Sequence, residues 1–243
     1  MSRIGLLVPS SNTTVEPEFY RALPASVTLH TARLYLTRIA PESILRMVED
    51  METQAKLLAS ADVDVIVLGA TAPSFLKGLG YDRELIEKIE KASGKKATTT
   101  STALVQAIRH TGAKRVVLGS AYDEKVNGIA KAFLEASGFE VVGVQGLSLV
   151  DNLVVGRLSP DTAYDLAVQV DRTEADAIVL SCTNWQTLQA IERIEDKTGK
   201  PVITTTQATI WAALRAIGHT QPVKGYGRLL RELGAAAKQT HTA

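Results

Sequence analysis

Four short segments of this chain hold residue types that can move a proton or bind an anion. Cys182, the only cysteine, lies in Leu180-Ser-Cys-Thr-Asn184-Trp185. A lone cysteine is often just a buried apolar residue. This one follows an apolar run directly and is surrounded by hydroxyl and amide groups. A helix expected to begin near Asn184 would lower its thiol below the usual value of about 8.5, making it a proton carrier near neutral pH. Thr71, in Leu68-Gly-Ala-Thr-Ala-Pro-Ser-Phe75, offers a hydroxyl. The N–H groups of Thr71 and Ala72 lie where a helix is expected to start, and such donors suit a carboxylate or a developing enediolate. The alternative for Thr71 is ordinary N-capping. Asn12, in Pro9-Ser-Ser-Asn-Thr-Thr14, offers an amide to a carboxylate or caps the next helix. Tyr122, after Leu118-Gly-Ser-Ala121, offers a phenol donor or packs.

The elements that must position these groups alternate in type. Strand-like runs are expected at Ile4–Val8, Val27–Leu36, Val63–Gly69, Arg115–Ser120, Glu140–Val144, Ala177–Ser181 and Pro201–Thr204. Helical spacing of apolar residues marks Glu42–Ala61, Val126–Ala136 and Thr162–Val170. In the first of these, Ile44, Leu45, Val48, Met51, Ala55 and Leu58 form one stripe. Ser93-Gly94 and Thr198-Gly199 place glycine where a left-handed cap ends a helix. Strand–helix alternation with near-continuously apolar strands predicts an α/β fold of parallel sheets covered on both faces.

The chain also repeats itself. Asp64-Val-Ile-Val-Leu-Gly-Ala-Thr71 aligns with Asp176-Ala-Ile-Val-Leu-Ser-Cys-Thr183. Ser93-Gly-Lys-Lys-Ala-Thr-Thr-Thr100 aligns with Thr198-Gly-Lys-Pro-Val-Ile-Thr-Thr-Thr206, and the helices that follow also correspond. Order across consecutive elements favours duplication over the general likeness of βαβ units. The expected organisation is a first lobe of residues 1–97 with 218–243 and a second lobe of 98–217. Ligands bind beyond the C-terminal ends of parallel strands, so a cleft between the lobes should be lined by loops 9–14, 69–74, 121–127 and 181–187. The repeat pairs Ala70 with Cys182.

Composition narrows the chemistry. The 243 residues are 45% hydrophobic and 22% charged, with 27 basic and 26 acidic side chains for a net charge of +1. No basic run offers a phosphate-binding face, so no nucleic-acid partner is expected. No apolar run reaches the roughly 18 residues of a membrane span, which excludes a membrane partner, and the N-terminus has no signal-peptide layout. One cysteine excludes an internal disulfide framework and fits a cytoplasmic location. The histidines at 30, 110, 219 and 241 lack metal-ligand spacing. No nucleotide-binding glycine motif or nucleophile elbow occurs. Lys125 is the one cation in the four loops.

Together the segments resemble the aspartate/glutamate racemase superfamily, in the branch of maleate cis-trans isomerases, ectoine-utilisation EutA-like proteins and arylmalonate decarboxylases. The residues that carry the resemblance are Val8-Pro-Ser-Ser-Asn-Thr-Thr14, Ala70-Thr-Ala-Pro-Ser-Phe75, Thr98-Thr-Thr-Ser-Thr-Ala103, Ala121-Tyr122 with Val126-Asn127, Asp151-Asn-Leu153 with Gly156-Arg157, Leu180-Ser-Cys-Thr-Asn184, and Gly225-Tyr-Gly-Arg-Leu229. The resemblance implies two pseudo-symmetric lobes, a cofactor-free site between them and, by analogy, a homo-oligomer. It implies a small dicarboxylic acid as substrate, held by asparagines such as Asn12 and Asn152 and a tyrosine such as Tyr122. In maleate isomerases a first-lobe cysteine attacks the alkene and a second-lobe cysteine handles the proton. Arylmalonate decarboxylases keep only the second.

Ala70 departs from the two-cysteine pattern, because it can neither attack an alkene nor donate a proton. The first expectation is therefore a cofactor-independent decarboxylase of a malonate-like diacid. Cys182 would protonate the enediolate, and Thr71, Ala72, Tyr122 and Thr183 would cradle the retained carboxylate. Two alternatives stand beside it: a maleate-isomerase-like enzyme in which Ala70 replaces a cysteine, and a non-catalytic binder of small acids.

Overall fold

Apolar residues run unbroken through the central strands of two sheets, as expected for parallel strands covered on both faces. Ile4 to Val8, Val65–Leu68, Val116 to Leu118 and Ala177 to Leu180 are all buried. The computed structural model describes residues 1–36, 38 and 40–236. The segment 237–243, including His241 and the end of the expected first lobe, lies outside the described residues.

The first sheet contains β1 (Ser2–Pro9), β2 (Val27–Leu34), β3 (Val65–Leu68) and β4 (Lys96–Thr99), ordered β2-β1-β3-β4. The second contains β5 (Arg115–Ser120), β6 (Glu140–Gly146), β7 (Ala177–Ser181) and β8 (Val202–Thr204), ordered β6-β5-β7-β8. Every pairing within the sheets is parallel. The repeat in the sequence is thus a repeat in topology, and the fold is α/β with two lobes. Equivalent residues also do equivalent work. Asp64 Oδ2 accepts the Arg3 N–H at 2.8 Å at the start of β1, and Asp176 Oδ2 accepts the Arg115 N–H at 2.8 Å at the start of β5.

Among the described residues the first half holds the helices α1 (Val15–Ala22), α2 (Pro41–Glu49), α3 (Met51–Ser60), α4 (Thr71–Phe75), α5 (Tyr81–Ser93) and α6 (Thr100–Thr111). The second half adds α7 (Glu124–Ala136), α8 (Asn152–Gly156), α9 (Pro160–Val170), α10 (Ile191–Thr198), α11 (Thr205–Ala216) and α12 (Gly227–Arg231). Gly94 and Gly199 take the expected left-handed caps, at φ 68° and 71°. Helices α6 and α11 pack along each other where the lobes meet, and Thr209 Oγ1 donates to Thr100 Oγ1 at 3.1 Å.

The expected single helix Glu42–Ala61 is two helices broken at Asp50. The bend keeps Ile44, Val48, Met51, Ala55 and Leu58 buried, but it leaves Leu45 exposed. Several strands shift by one or two residues: β2 ends at Leu34, β3 spans only Val65–Leu68, β6 runs to Gly146 and β8 begins at Val202. Strand β4 was not foreseen, because Lys96-Ala-Thr-Thr carries no apolar run.

The Gly225–Leu229 motif pins the C-terminal region. The Arg228 N–H donates to Glu195 Oε2 at 3.0 Å, Gln207 Nε2 donates to the Tyr226 carbonyl at 2.6 Å, and the Tyr226 hydroxyl reaches the Arg21 carbonyl at 2.9 Å. Gly227 sits at φ 82°, and a Cβ there would lie 2.3 Å from Ile191 Cγ2. Gly227→Ala should therefore destabilise the protein by about 2–4 kcal/mol through backbone strain and overpacking. Denaturant unfolding of the variant checks this, and an unchanged midpoint would contradict the packing.

Candidate active site

The C-terminal ends of β1, β3, β5 and β7 point into the space between the lobes, and neutral hydrogen bonds close it. Asn12 Nδ2 donates to Thr183 Oγ1 at 3.2 Å, and Thr183 Oγ1 donates to the Gly69 carbonyl at 3.2 Å. The Thr13 N–H donates to Asn184 Oδ1 at 2.8 Å, and Thr14 Oγ1 donates to the Asn184 carbonyl at 2.9 Å. Asn152 Nδ2 donates to Ser11 Oγ at 2.8 Å, and Asn184 Nδ2 donates to the Asn152 carbonyl at 2.5 Å. These bonds span as many as 171 residues of sequence.

They surround a pocket with about 350 Å³ of empty volume, including its mouth. Asn12, Ala70, Thr71, Ala72, Tyr122, Asn152, Cys182 and Thr183, the residues singled out by sequence, all line it. So do Pro9, Leu36, Ile44, Pro73 and Asn184. Leu36 and Ile44 were not anticipated: one read as the end of a strand, the other as part of a core stripe. Their apolar signal is the same as that of any core residue. Lys125 is exposed on α7 and does not line the pocket.

Each polar group is held by its own support. Asn12 does both jobs open to it: its Oδ1 accepts the N–H groups of Thr14 and Val15 at the start of α1, while its amide crosses to Thr183. The Tyr122 N–H donates to Ser120 Oγ at 3.0 Å, Ser120 Oγ donates to Asn127 Oδ1, and Asn127 Nδ2 donates to the Tyr122 carbonyl at 3.2 Å. Asn127 thus fixes the tyrosine backbone and stays out of the pocket lining. Thr71 is the first residue of α4, and Ala70 is the cap position. The Thr71 hydroxyl is buried near the Tyr122 phenol but outside hydrogen-bond geometry, leaving it without a partner. A buried orphan of this kind costs about 1–3 kcal/mol unless something accepts or donates to it.

The expected helix at Asn184 is absent. Thr183 and Asn184 form a turn, a short 3-10 segment occupies Leu188–Ala190, and α10 begins only at Ile191. The expected lowering of the thiol is overturned with it. Burial pushes Cys182 up to about 11, only partly offset by the Asn184 N–H, the Tyr122 hydroxyl and the Trp185 N–H at the sulfur. Desolvation of a thiolate outweighs three neutral donors when no cation is near. Burial likewise pushes the Tyr122 phenol well above 10, so it remains a neutral donor. The Cys182 N–H is anchored on Thr205 Oγ1 at 3.1 Å, and its φ of 156° lies in a region that non-glycine residues avoid.

The pocket therefore presents a protonated thiol on one wall and the methyl group of Ala70 at the position paired with it by the repeat. Alkylation requires the thiolate. Its rate at Cys182 should rise about tenfold per pH unit from pH 7 to pH 9.5, without levelling off. A plateau below pH 9 would show a thiol far more acidic than its surroundings allow.

Comparison with known proteins follows the same lines as the geometry. The arylmalonate decarboxylase family model matches residues 4–230. The chain is 32% identical over 241 residues to a maleate isomerase of Pseudomonas putida, covering 94% of this chain and 96% of that protein. It is 31% identical over 232 residues to the arylmalonate decarboxylase of Bordetella bronchiseptica, with coverage of 94% and 96%. A crystal structure of a variant maleate isomerase from Pseudomonas putida S16 with maleate superposes with a TM-score of 0.92 at 30% identity, covering 98% of this chain and 99% of that one. With two lobes, an interlobe pocket and a match over nearly its whole length, this chain belongs to the arylmalonate decarboxylase family.

Proposed function

We propose that the protein is a cofactor-independent decarboxylase of a small malonate-like diacid. The observation that carries this reading is the one-sided acid: Cys182 and Tyr122 are the ionisable residues among the described pocket lining, and Ala70 stands where a second thiol would be needed. Family members that bear the names maleate isomerase and arylmalonate decarboxylase support an enzyme acting on a small dicarboxylic acid.

In this mechanism the retained carboxylate binds to the Thr71 hydroxyl, the Tyr122 hydroxyl and the N–H groups of Ala72 and Thr183. Asn12 and Asn152 border the same space. The scissile carboxylate lies toward the apolar side chains of Pro9, Leu36 and Ile44, where a charge is poorly solvated. The C–C bond breaks, CO2 leaves, and the electron pair delocalises into the retained carboxylate as an enediolate. The Sγ–H proton of Cys182 then passes to the α-carbon. The resulting thiolate is held by the Asn184 and Trp185 N–H groups and the Tyr122 hydroxyl until solvent returns a proton. A thiol raised to about 11 is fully protonated at neutral pH, which suits a donor to carbon better than a nucleophile. The described lining carries no lysine or arginine, and a fixed cation would have stabilised the starting dianion and opposed loss of CO2.

Maleate isomerisation is the second reading. It is favoured by the two asparagines, Asn12 and Asn152, lining the pocket together, but it lacks an attacking thiolate at Ala70.

Two substitutions test the reading. Cys182→Ser should lower kcat on a malonate at least a hundredfold with KM changed less than about threefold, since a hydroxyl is a far weaker acid. Unchanged turnover would remove the thiol from the chemistry. Ala70→Cys should place a second proton donor opposite the first and erode the enantiomeric purity of the product. A gain of maleate-to-fumarate conversion without decarboxylation would instead favour the isomerase reading.

A further inference from the structure

Of the buried acids that take no part in the proposed mechanism, Glu18, Asp82 and Glu195, the least exposed is Glu18. Glu18 lies in α1 of the first lobe and is 1% exposed. Its Oε1 accepts two N–H groups from the opposite lobe, those of Thr187 at 2.9 Å and Leu188 at 3.0 Å, across 169 and 170 residues of sequence. Its other oxygen is buried close to the Thr206 hydroxyl. Acids in the first turn of a helix ordinarily face solvent and favour the helix dipole. This one is spent on another segment of chain.

That segment is the loop that starts at Cys182. Its beginning is fixed by the Cys182 N–H on Thr205, and its middle by Asn184 on Thr13 and Thr14. Past Asn184 the loop makes one local bond, from the Trp185 N–H to the Cys182 carbonyl at 3.2 Å, before the Glu18 carboxyl takes hold of Thr187 and Leu188. Asn184 and Trp185, the residues whose N–H groups lie near Cys182, sit between these anchors.

We propose that Glu18 is the positioning residue of the Cys182 loop, a clamp from the opposite lobe that holds Thr187 and Leu188 and thereby fixes where Cys182, Asn184 and Trp185 sit. This rests on the reading that Cys182 is the proton donor. The clamp acts through an acceptor oxygen and does not need a charge. Burial pushes the Glu18 carboxyl up to about 7, so near neutrality a large part of the protein already carries it as the uncharged acid. Glutamine keeps that oxygen at the same reach, whereas alanine strands both N–H groups. Most of the carboxylate cradle, at Thr71, Ala72 and Tyr122, belongs to other loops, and Thr183 is held by its own bonds to Asn12 and Gly69, so the effect should fall on kcat and leave KM nearly alone.

The test compares Glu18→Gln, Glu18→Asp and Glu18→Ala in the full chain, by turnover of a malonate and by amide hydrogen exchange in the 182–188 loop. A misplacement of about 1 Å costs on the order of a hundredfold in rate. Glu18→Ala should lose ten- to a hundredfold in kcat with KM within threefold, and exchange at Thr187 and Leu188 should accelerate at least tenfold. Glu18→Gln should stay within threefold of the parent in both readouts. Glu18→Asp, which withdraws the acceptor by one methylene, should fall between and serves if the alanine variant does not fold. Unchanged loop exchange in the alanine or aspartate variant would overturn the clamp, as would faster exchange with unchanged kcat, or a glutamine variant as impaired as alanine. If the parent protein decarboxylates no malonate, the proposed function fails. The clamp is then judged by loop exchange and by the alkylation rate of Cys182, which should change in the alanine variant and be restored in the glutamine variant.

Discussion

The structure depends on closing the C-terminal ends of two parallel sheets against each other with neutral hydrogen bonds. Those ends carry loop backbone and polar side chains that cannot be buried unsatisfied. Asn12, Thr183 and Asn184 meet the requirement by pairing across the lobes, each to a group in the other. Such a network is strong in a low dielectric only when its members are partnered. The pocket lies where it leaves donors over, chiefly the Thr71 hydroxyl.

Closure also sets the chemistry of the thiol. Ion pairs do occur on the surface, as between Arg193 and Asp161 at 2.7 Å. Arg33, paired with Glu16, reaches the backbone carbonyl of Asn12, but no charged side chain is among the described residues that line the pocket. For a buried thiol with no cation beside it the cost of desolvating a thiolate dominates, and Cys182 stays protonated. In the proposed reaction, the proton that solvent finally returns completes the conversion of a dianion, whose charge is poorly accommodated there, into a monoanion and neutral CO2. A donor that is reluctant to ionise can still protonate an enediolate, because a carbanion-like centre is a much stronger base than a thiolate.

Much of this was legible in the sequence because it is local or periodic. The repeat pairing Asp64–Thr71 with Asp176–Thr183 foretold two similar lobes, and strand ends foretold the lining loops. What escaped depends on contacts made by residues far apart in the chain. Leu36 and Ile44 carry the same apolar signal whether they face a core or a pocket. Glu18 reads as a solvated first-turn acid until the fold brings Thr187 and Leu188 over it. The expected helix at Asn184 failed because the segment's hydrogen bonds go elsewhere. The Asn184 carbonyl and side chain are engaged by Thr13, Thr14 and Asn152 in place of a helical ladder. With no helix terminus at the sulfur, burial decides the thiol's pKa and raises it.

One-sided proton delivery to carbon is the central claim, and it has a direct readout in the product. A prochiral disubstituted malonate turned over in deuterated water should yield a monoacid carrying one deuterium at the α-carbon, in a single enantiomeric form, with one CO2 released per turnover. A racemic product would show that the enediolate takes its proton from both faces or from bulk solvent. In that case the wall carrying Cys182 would not control the reaction.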